Sequence, residues 1–205
     1  RNWPSEIGKR FISKAGTATT PEWNVAFGST NGYGAAVATN TKSETEAVYK
    51  QFSSLLLGPT EVTGGFFISS KGSAGVNYTA GTKDSEIFVL TARRSNMKDR
   101  LNKGNWTIAL SGSTSYGGSA GALGQVPKPL LELTDDSVAK NPTATPVGDR
   151  YNIVSGTLGT VHTGAATRTF GWFYPDMGTL VFSAAELSAS IPGSGSRSDD
   201  TVISY

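Results

Sequence analysis

The sequence predicts an α+β fold, mostly β: antiparallel sheet with one amphipathic helix, Glu44–Leu57, packed on a face. Three observations predict it. First, 24 Ser, 24 Thr and 25 Gly among 205 residues favour strands, turns and loops over long helices. Second, the stretch TFGWFYPDMGTLVF sets two aromatic-rich runs on either side of Pro175-Asp176-Met177-Gly178. Proline pre-sets φ, aspartate bonds the backbone ahead of it and glycine accepts positive φ. The flanks Thr169–Tyr174 and Thr179–Phe182 therefore form an antiparallel hairpin. Third, one segment carries the strong helical signals. Ser43 and Glu46 make a capping box, and Val48, Phe52, Leu55 and Leu56 form one apolar stripe before Gly58-Pro59 stops the helix.

The other elements follow in chain order. Glu22–Phe27 and Ala35–Thr39 are short strand candidates, separated by a glycine-rich turn in which Asn31-Gly32 is a hairpin signal. After the helix, Thr63–Ser69 and Glu86–Thr91 read as strands, and Ser95–Leu101 as a short helix or turn ending at Gly104. Asn105–Ser111 alternates, with Trp106, Ile108 and Leu110 on one side. Pro129–Thr134, Arg150–Ser155 and Leu158–His162 are further strands, and Ser183 with Glu186 caps a short helix, Ala184–Ser190. Residues 1–20 read as an N-terminal arm or irregular lead-in, 21–191 as the β-rich domain, and 192–205 as a linker with the start of a following segment. Arg1 at the start and strand-like Thr201–Tyr205 at the end suggest a piece of something longer.

Composition excludes several classes of function. A net charge of +2, with no basic block beyond Arg93-Arg94, argues against nucleic acid as a partner. No apolar run reaches the roughly 20 residues a membrane helix needs. With no cysteine, disulfides, thiolate metal sites and a cysteine nucleophile are all out.

Candidate chemistry is sparse. Gly117-Gly118-Ser119-Ala120-Gly121 matches G-x-S-x-G, and Asp135, Asp136, Asp149 and His162 follow in hydrolase order. The match lies in a low-complexity loop with no helix after Ser119, whereas a nucleophile elbow needs a strand-to-helix turn. His162 is the lone histidine, which rules out mechanisms needing two and most zinc sites. The pairs Asp135-Asp136 and Asp199-Asp200 read as turn-solvating or capping residues on opposite faces, and neither has EF-hand spacing. Glu22 or Glu132 with Asp176 could in principle make a distant glycosidase pair, but nothing nominates them. Core or interface packing is the expected fate of most of Trp3, Trp23, Trp106 and Trp172, with a sugar-stacking platform as the alternative. No residue is assigned a catalytic, cofactor-binding or metal-binding role.

Read in order, YKQFSSLLLG, RSNMKDRLNKGNWTIALSG, LLELTDDS, DRYNIVSGTLGTV and FGWFYPDMGTLVFS resemble segments of large virion structural proteins of contractile-tailed, T-even-like phages such as cyanophages. The resemblance spans roughly residues 45–190. The expected acidic-Pro step before Gly104-Asn105-Trp106 is replaced by Asn102-Lys103. It implies a non-enzymatic tail or baseplate part, located in the virion, with other virion proteins and copies of itself as partners and no cofactor. A carbohydrate- or receptor-binding β-module of a fibre is the alternative, and a hydrolase using Ser119 ranks behind both.

Overall fold

A computed structural model describes residues 9–11, 23–32, 44–62, 64–68, 83–97, 99–111, 129–162 and 168–190. Among the described residues ten strands are present: β1 (Lys9–Phe11), β2 (Trp23–Ser29), β3 (Glu86–Ala92), β4 (Ile108–Ser111), β5 (Pro129–Asp135), β6 (Thr143–Thr145), β7 (Gly148–Thr157), β8 (Thr160–Val161), β9 (Thr169–Tyr174) and β10 (Thr179–Ser183). Two helices accompany them, α1 (Glu44–Leu56) and α2 (Ala184–Ser190). The strands form one antiparallel, curled sheet in the order β1-β2-β3-β10-β9-β7-β5-β4. The short β6 and β8 pair with the two ends of β7. The mostly-β reading is therefore correct, and β1 places three residues of the expected N-terminal arm in the sheet.

Side-chain alternation divides the core into two clusters, one on each face. Ile87, Val89 and Val181 turn toward α1, while Phe88, Leu180 and Phe182 turn to the other side. The β9–β10 hairpin keeps the predicted bounds to within a residue, with Thr179 opposite Tyr174 and Gly178 at φ +63°. One irregularity redirects a ring. Between Ile153 and Val154 of β7 the register with β9 slips by one residue, leaving Phe170 as the extra residue. Phe170 consequently joins Phe173 in the second cluster instead of sharing a face with Trp172, as a regular strand would have it. Full burial of each such side chain is worth about 1.5–3 kcal/mol, so the two clusters dominate stability.

The helix departs from its predicted stripe. Its buried residues are Thr45, Tyr49, Ser53 and Leu56, whereas Leu55 is 43% exposed and Val48 and Phe52 are half-buried. The reason lies in β2. A Cβ on Gly28 would stand 3.0 Å from both the Cα and the N of Tyr49, so the helix backbone rests directly on a glycine. Only the small Thr45 and Ser53 fit beside that contact. Close approach of the two backbones, more than apolar spacing, sets the rotation of α1.

The predicted strand Thr63–Ser69 is also corrected, since 64–68 are irregular. Phe66 and Ile68 are nonetheless buried, because side chains replace the missing ladder, as detailed below. The Asn105–Ser111 strand begins only at Ile108. The proposed Ser95–Leu101 turn is a single 3₁₀ turn at Arg94–Asn96. Candidates Ala35–Thr39 and Ser43 lie outside the described residues, as do Glu22 and the linker from 192 onward.

Candidate functional site

Three groups of polar side chains organise the loops around this sheet. The first centres on Asp84, 4% exposed at the start of β3. One carboxylate oxygen accepts from Ile68 N at 2.6 Å and the other from Ser183 Oγ at 2.5 Å. Its backbone joins in: Asp84 N donates to Phe66 O at 2.7 Å, and Asp84 O accepts from Tyr49 Oη at 2.8 Å. Tyr49 Oη in turn accepts from Phe66 N at 3.1 Å. Burial pushes the Tyr49 phenol up to about 12; the Phe66 amide opposes the shift and the Asp84 charge adds to it. Ser183 Oγ also accepts from Glu186 N at 3.2 Å, one half of the predicted capping box of α2, while the Glu186 carboxylate turns to Arg168.

A second group crosses the α1 face. The Arg150 guanidinium lies 3.9 Å from the centre of the Trp172 ring and 3.5 Å from Glu61 Oε1. Such stacking of a partly desolvated cation contributes on the order of 0.5–2 kcal/mol. Tyr174 Oη is fully buried nearby with no hydrogen bond of normal geometry, and burial pushes its phenol up to about 12 against the lowering influence of Arg150.

The third group lies at the opposite side of the sheet, where β4, β5 and β7 meet. Asp135 and Asp136 are 0% and 2% exposed, which corrects the expectation that they solvate a turn. Gly104 N donates to both oxygens of Asp135, at 2.9 and 3.0 Å. Asp136 accepts from the backbone and side-chain nitrogens of Asn152, each at 2.9 Å, and pairs with Lys140 at 3.5 Å. The buried Thr134 hydroxyl donates to Trp106 O and accepts from Gly159 N, both at 2.8 Å. Leu158 N donates to Thr107 Oγ1 at 2.9 Å. The two aspartates do face different partners, as adjacent strand residues must. Asp135 faces the amide of the Gly104 turn, and Asp136, just past the end of β5, faces Asn152 of β7 and Lys140.

The remaining expected residues are placed as follows. Ser119 lies outside the described residues. His162 is exposed after β8, with Nδ1 3.3 Å from Ser155 Oγ. Asp149 is half-buried on β7, Glu132 is half-buried on β5, and Asp176 is exposed in the β9–β10 turn. Trp172 is buried; Trp23 and Trp106 are partly buried against the second cluster, with Trp106 edge-on to Phe173 at 5.3 Å. Trp3 lies outside the described residues. Among the described residues no cluster of three or more His, Cys, Asp or Glu could hold a metal ion, and no helix is long and apolar enough to cross a membrane. The sequence carries no signal for the roles of Asp84, which belongs to no motif, or of Thr134, read only as a strand residue, because their side-chain partners are 15 or more residues away.

The chain matches no protein-family model, no curated protein and no solved structure.

Proposed function

We propose that this chain is a structural protein of a phage virion, contributing an assembly and interaction domain to the tail or baseplate. One observation carries the reading. The buried carboxylates Asp84, Asp135, Asp136 and Glu186 bind the fold's own amides, a hydroxyl or a cation. They hold loops in fixed positions around a sheet that is packed on both faces. Rigid presentation of loops is what repeated assembly requires, because ordering a loop at contact would subtract from the association energy. The ordered series of sequence segments points to the same class of protein. A sugar-binding module would instead present Trp or Tyr to solvent, whereas among the described tryptophans Trp172 is buried in the core and Trp23 and Trp106 pack, partly buried, against it.

Immunogold labelling and quantitative mass spectrometry of particles from a phage encoding this chain test the proposal. The expected result is label at the tail or baseplate with a fixed copy number per particle. A chain found only outside particles, as a monomer that binds no virion protein, would contradict it.

A further inference from the structure

The chain has two methionines, Met97 and Met177, and folding brings both to the β9–β10 turn. Met177 is part of that turn, between Asp176 and Gly178, and is 37% exposed. Met97 follows the 3₁₀ turn Arg94–Asn96 and is half-buried. Its sulfur occupies the place that a Cβ on Gly178 would take, with the Met97 methyl carbon 2.8 Å and the Ala92 methyl 3.3 Å from that point. Gly178 stands at φ +63°, so the turn favours a glycine and the thioether fills the space it leaves. Backbone bonds tie the chain on either side of Met97 to the same turn. Ala92 N donates to Gly178 O at 2.8 Å, and Leu101 N to Pro175 O at 3.0 Å. Arg94 Nη1 donates to Asp176 O at 3.4 Å and to Asp99 O at 3.2 Å. Arg94 and Asp176 are exposed, so water competes for their bond, and the seat of Met97 on Gly178 supplies the apolar contact between these ties.

That contact is chemically reactive. A thioether accepts an oxygen atom from hydrogen peroxide: a sulfur lone pair attacks one peroxide oxygen, the S–O bond forms as the O–O bond breaks, and water leaves. The sulfur is oxidised by two electrons and the peroxide is reduced by two. A flexible apolar side chain becomes a polar, chiral sulfoxide. At Met177, the more exposed of the two, the new oxygen can turn to water. At Met97 it either presses on Gly178 or turns the thioether off the turn. The amides of Ala92, Met97 and Gly178 already donate to Gly178 O, Arg94 O and Pro175 O, so none of them is free to receive the sulfoxide. We propose that Met97 is an oxidation site, at which peroxide modification frees Arg94 and Leu101 from the 175–178 turn, with Met177 as a more exposed bystander. The inference stands apart from the assembly reading, since it needs no partner.

Amide hydrogen exchange of the full chain, before and after dilute hydrogen peroxide, tests this, with peptide mass spectrometry locating the added oxygen. Both methionines are expected to gain one oxygen, Met177 first. Oxidation of Met97 is expected to speed exchange at Leu101 about tenfold, as losing the burial of about half a side chain implies. The amides of the central strand β3, such as Val89, should stay slow. Met177→Leu should keep this response, and Met97→Leu should lose it while Met177 still oxidises. Methionine sulfoxide reductases acting on both epimers should restore slow exchange in the wild-type chain. Met97 remaining a thioether while Met177 is fully oxidised would overturn the proposal. So would Met97 sulfoxide with unchanged exchange at Leu101, or the same acceleration in Met97→Leu. Equal acceleration at Val89 would show general unfolding and overturn the local release as well.

Discussion

Asp84 on the α1 side and the Asp135–Asp136 pair at the β4–β5–β7 side do similar chemistry with opposite results. Asp84 and Asp135 each accept from a loop amide, Ile68 N and Gly104 N, while Asp136 accepts from Asn152 of β7. At Asp84 the loop turns inward and buries Phe66 and Ile68. At the other side Asp135 holds the Gly104 turn, the Asp136 carbonyl holds Ala139 and Lys140, and Thr107 and Thr134 hold the 158–159 turn, leaving Val138 and Leu158 as an outward tip in water. The same device serves core closure in one place and presentation in the other. What differs is whether the apolar side chains next to the anchored amides have sheet to fall upon.

Breaking the inward node should cost most. Asp84→Ala leaves the buried Ile68 amide and Ser183 hydroxyl without their partner, which we expect to cost about 3–5 kcal/mol in urea unfolding. Next in size is alkaline pH, which acts on the same face. Below pH 10 the phenols of Tyr49 and Tyr174 are protonated in both folded and unfolded chains. Between pH 10 and about 12 the unfolded chain releases those protons while the folded one keeps them, so stability falls as pH rises. Each tyrosine should account for on the order of 2–3 kcal/mol over that window, read by unfolding at successive pH values, and Tyr49→Phe should remove its share of the pH dependence.

A smaller effect is expected where α1 meets β2. Gly28→Ala puts a methyl 3.0 Å from the Tyr49 backbone, and we expect roughly 1–3 kcal/mol of destabilisation by chemical unfolding. Smallest, and opposite in sign, is Leu158→Asn. Relief of the positive φ should stabilise the fold by about 1 kcal/mol, visible as a higher urea midpoint. The contrast in sign would sharpen the comparison: the inward node is optimised for stability and the outward tip is not.

Much of the frame was legible in the sequence. The Pro175–Gly178 turn with its aromatic-rich flanks located β9 and β10, and Ser183 with Glu186 located α2, because those signals are local. The rotation of α1 was not legible. Its apolar spacing pointed to Leu55, but a glycine on a distant strand decided the face. The role of the 64–68 segment was equally hidden, since Asp84 and Tyr49 satisfy its amides from 16 and 17 residues away. The outward tip escaped for the same reason. Val138 belongs to no motif, Leu158 reads as the start of a strand that begins only at Thr160, and only folding brings Gly104 and Gly159 against Val138.

The central claim is that the β4–β5–β7 tip is rigid before any partner arrives. Amide hydrogen exchange at Gly104 and Gly159, measured on the chain diluted until it is monomeric, tests this most directly. Both amides should exchange as slowly as those of the β9–β10 ladder, because both donate to buried acceptors. Exchange at the rate of an unstructured peptide would show a tip that orders only on contact, and would contradict the account.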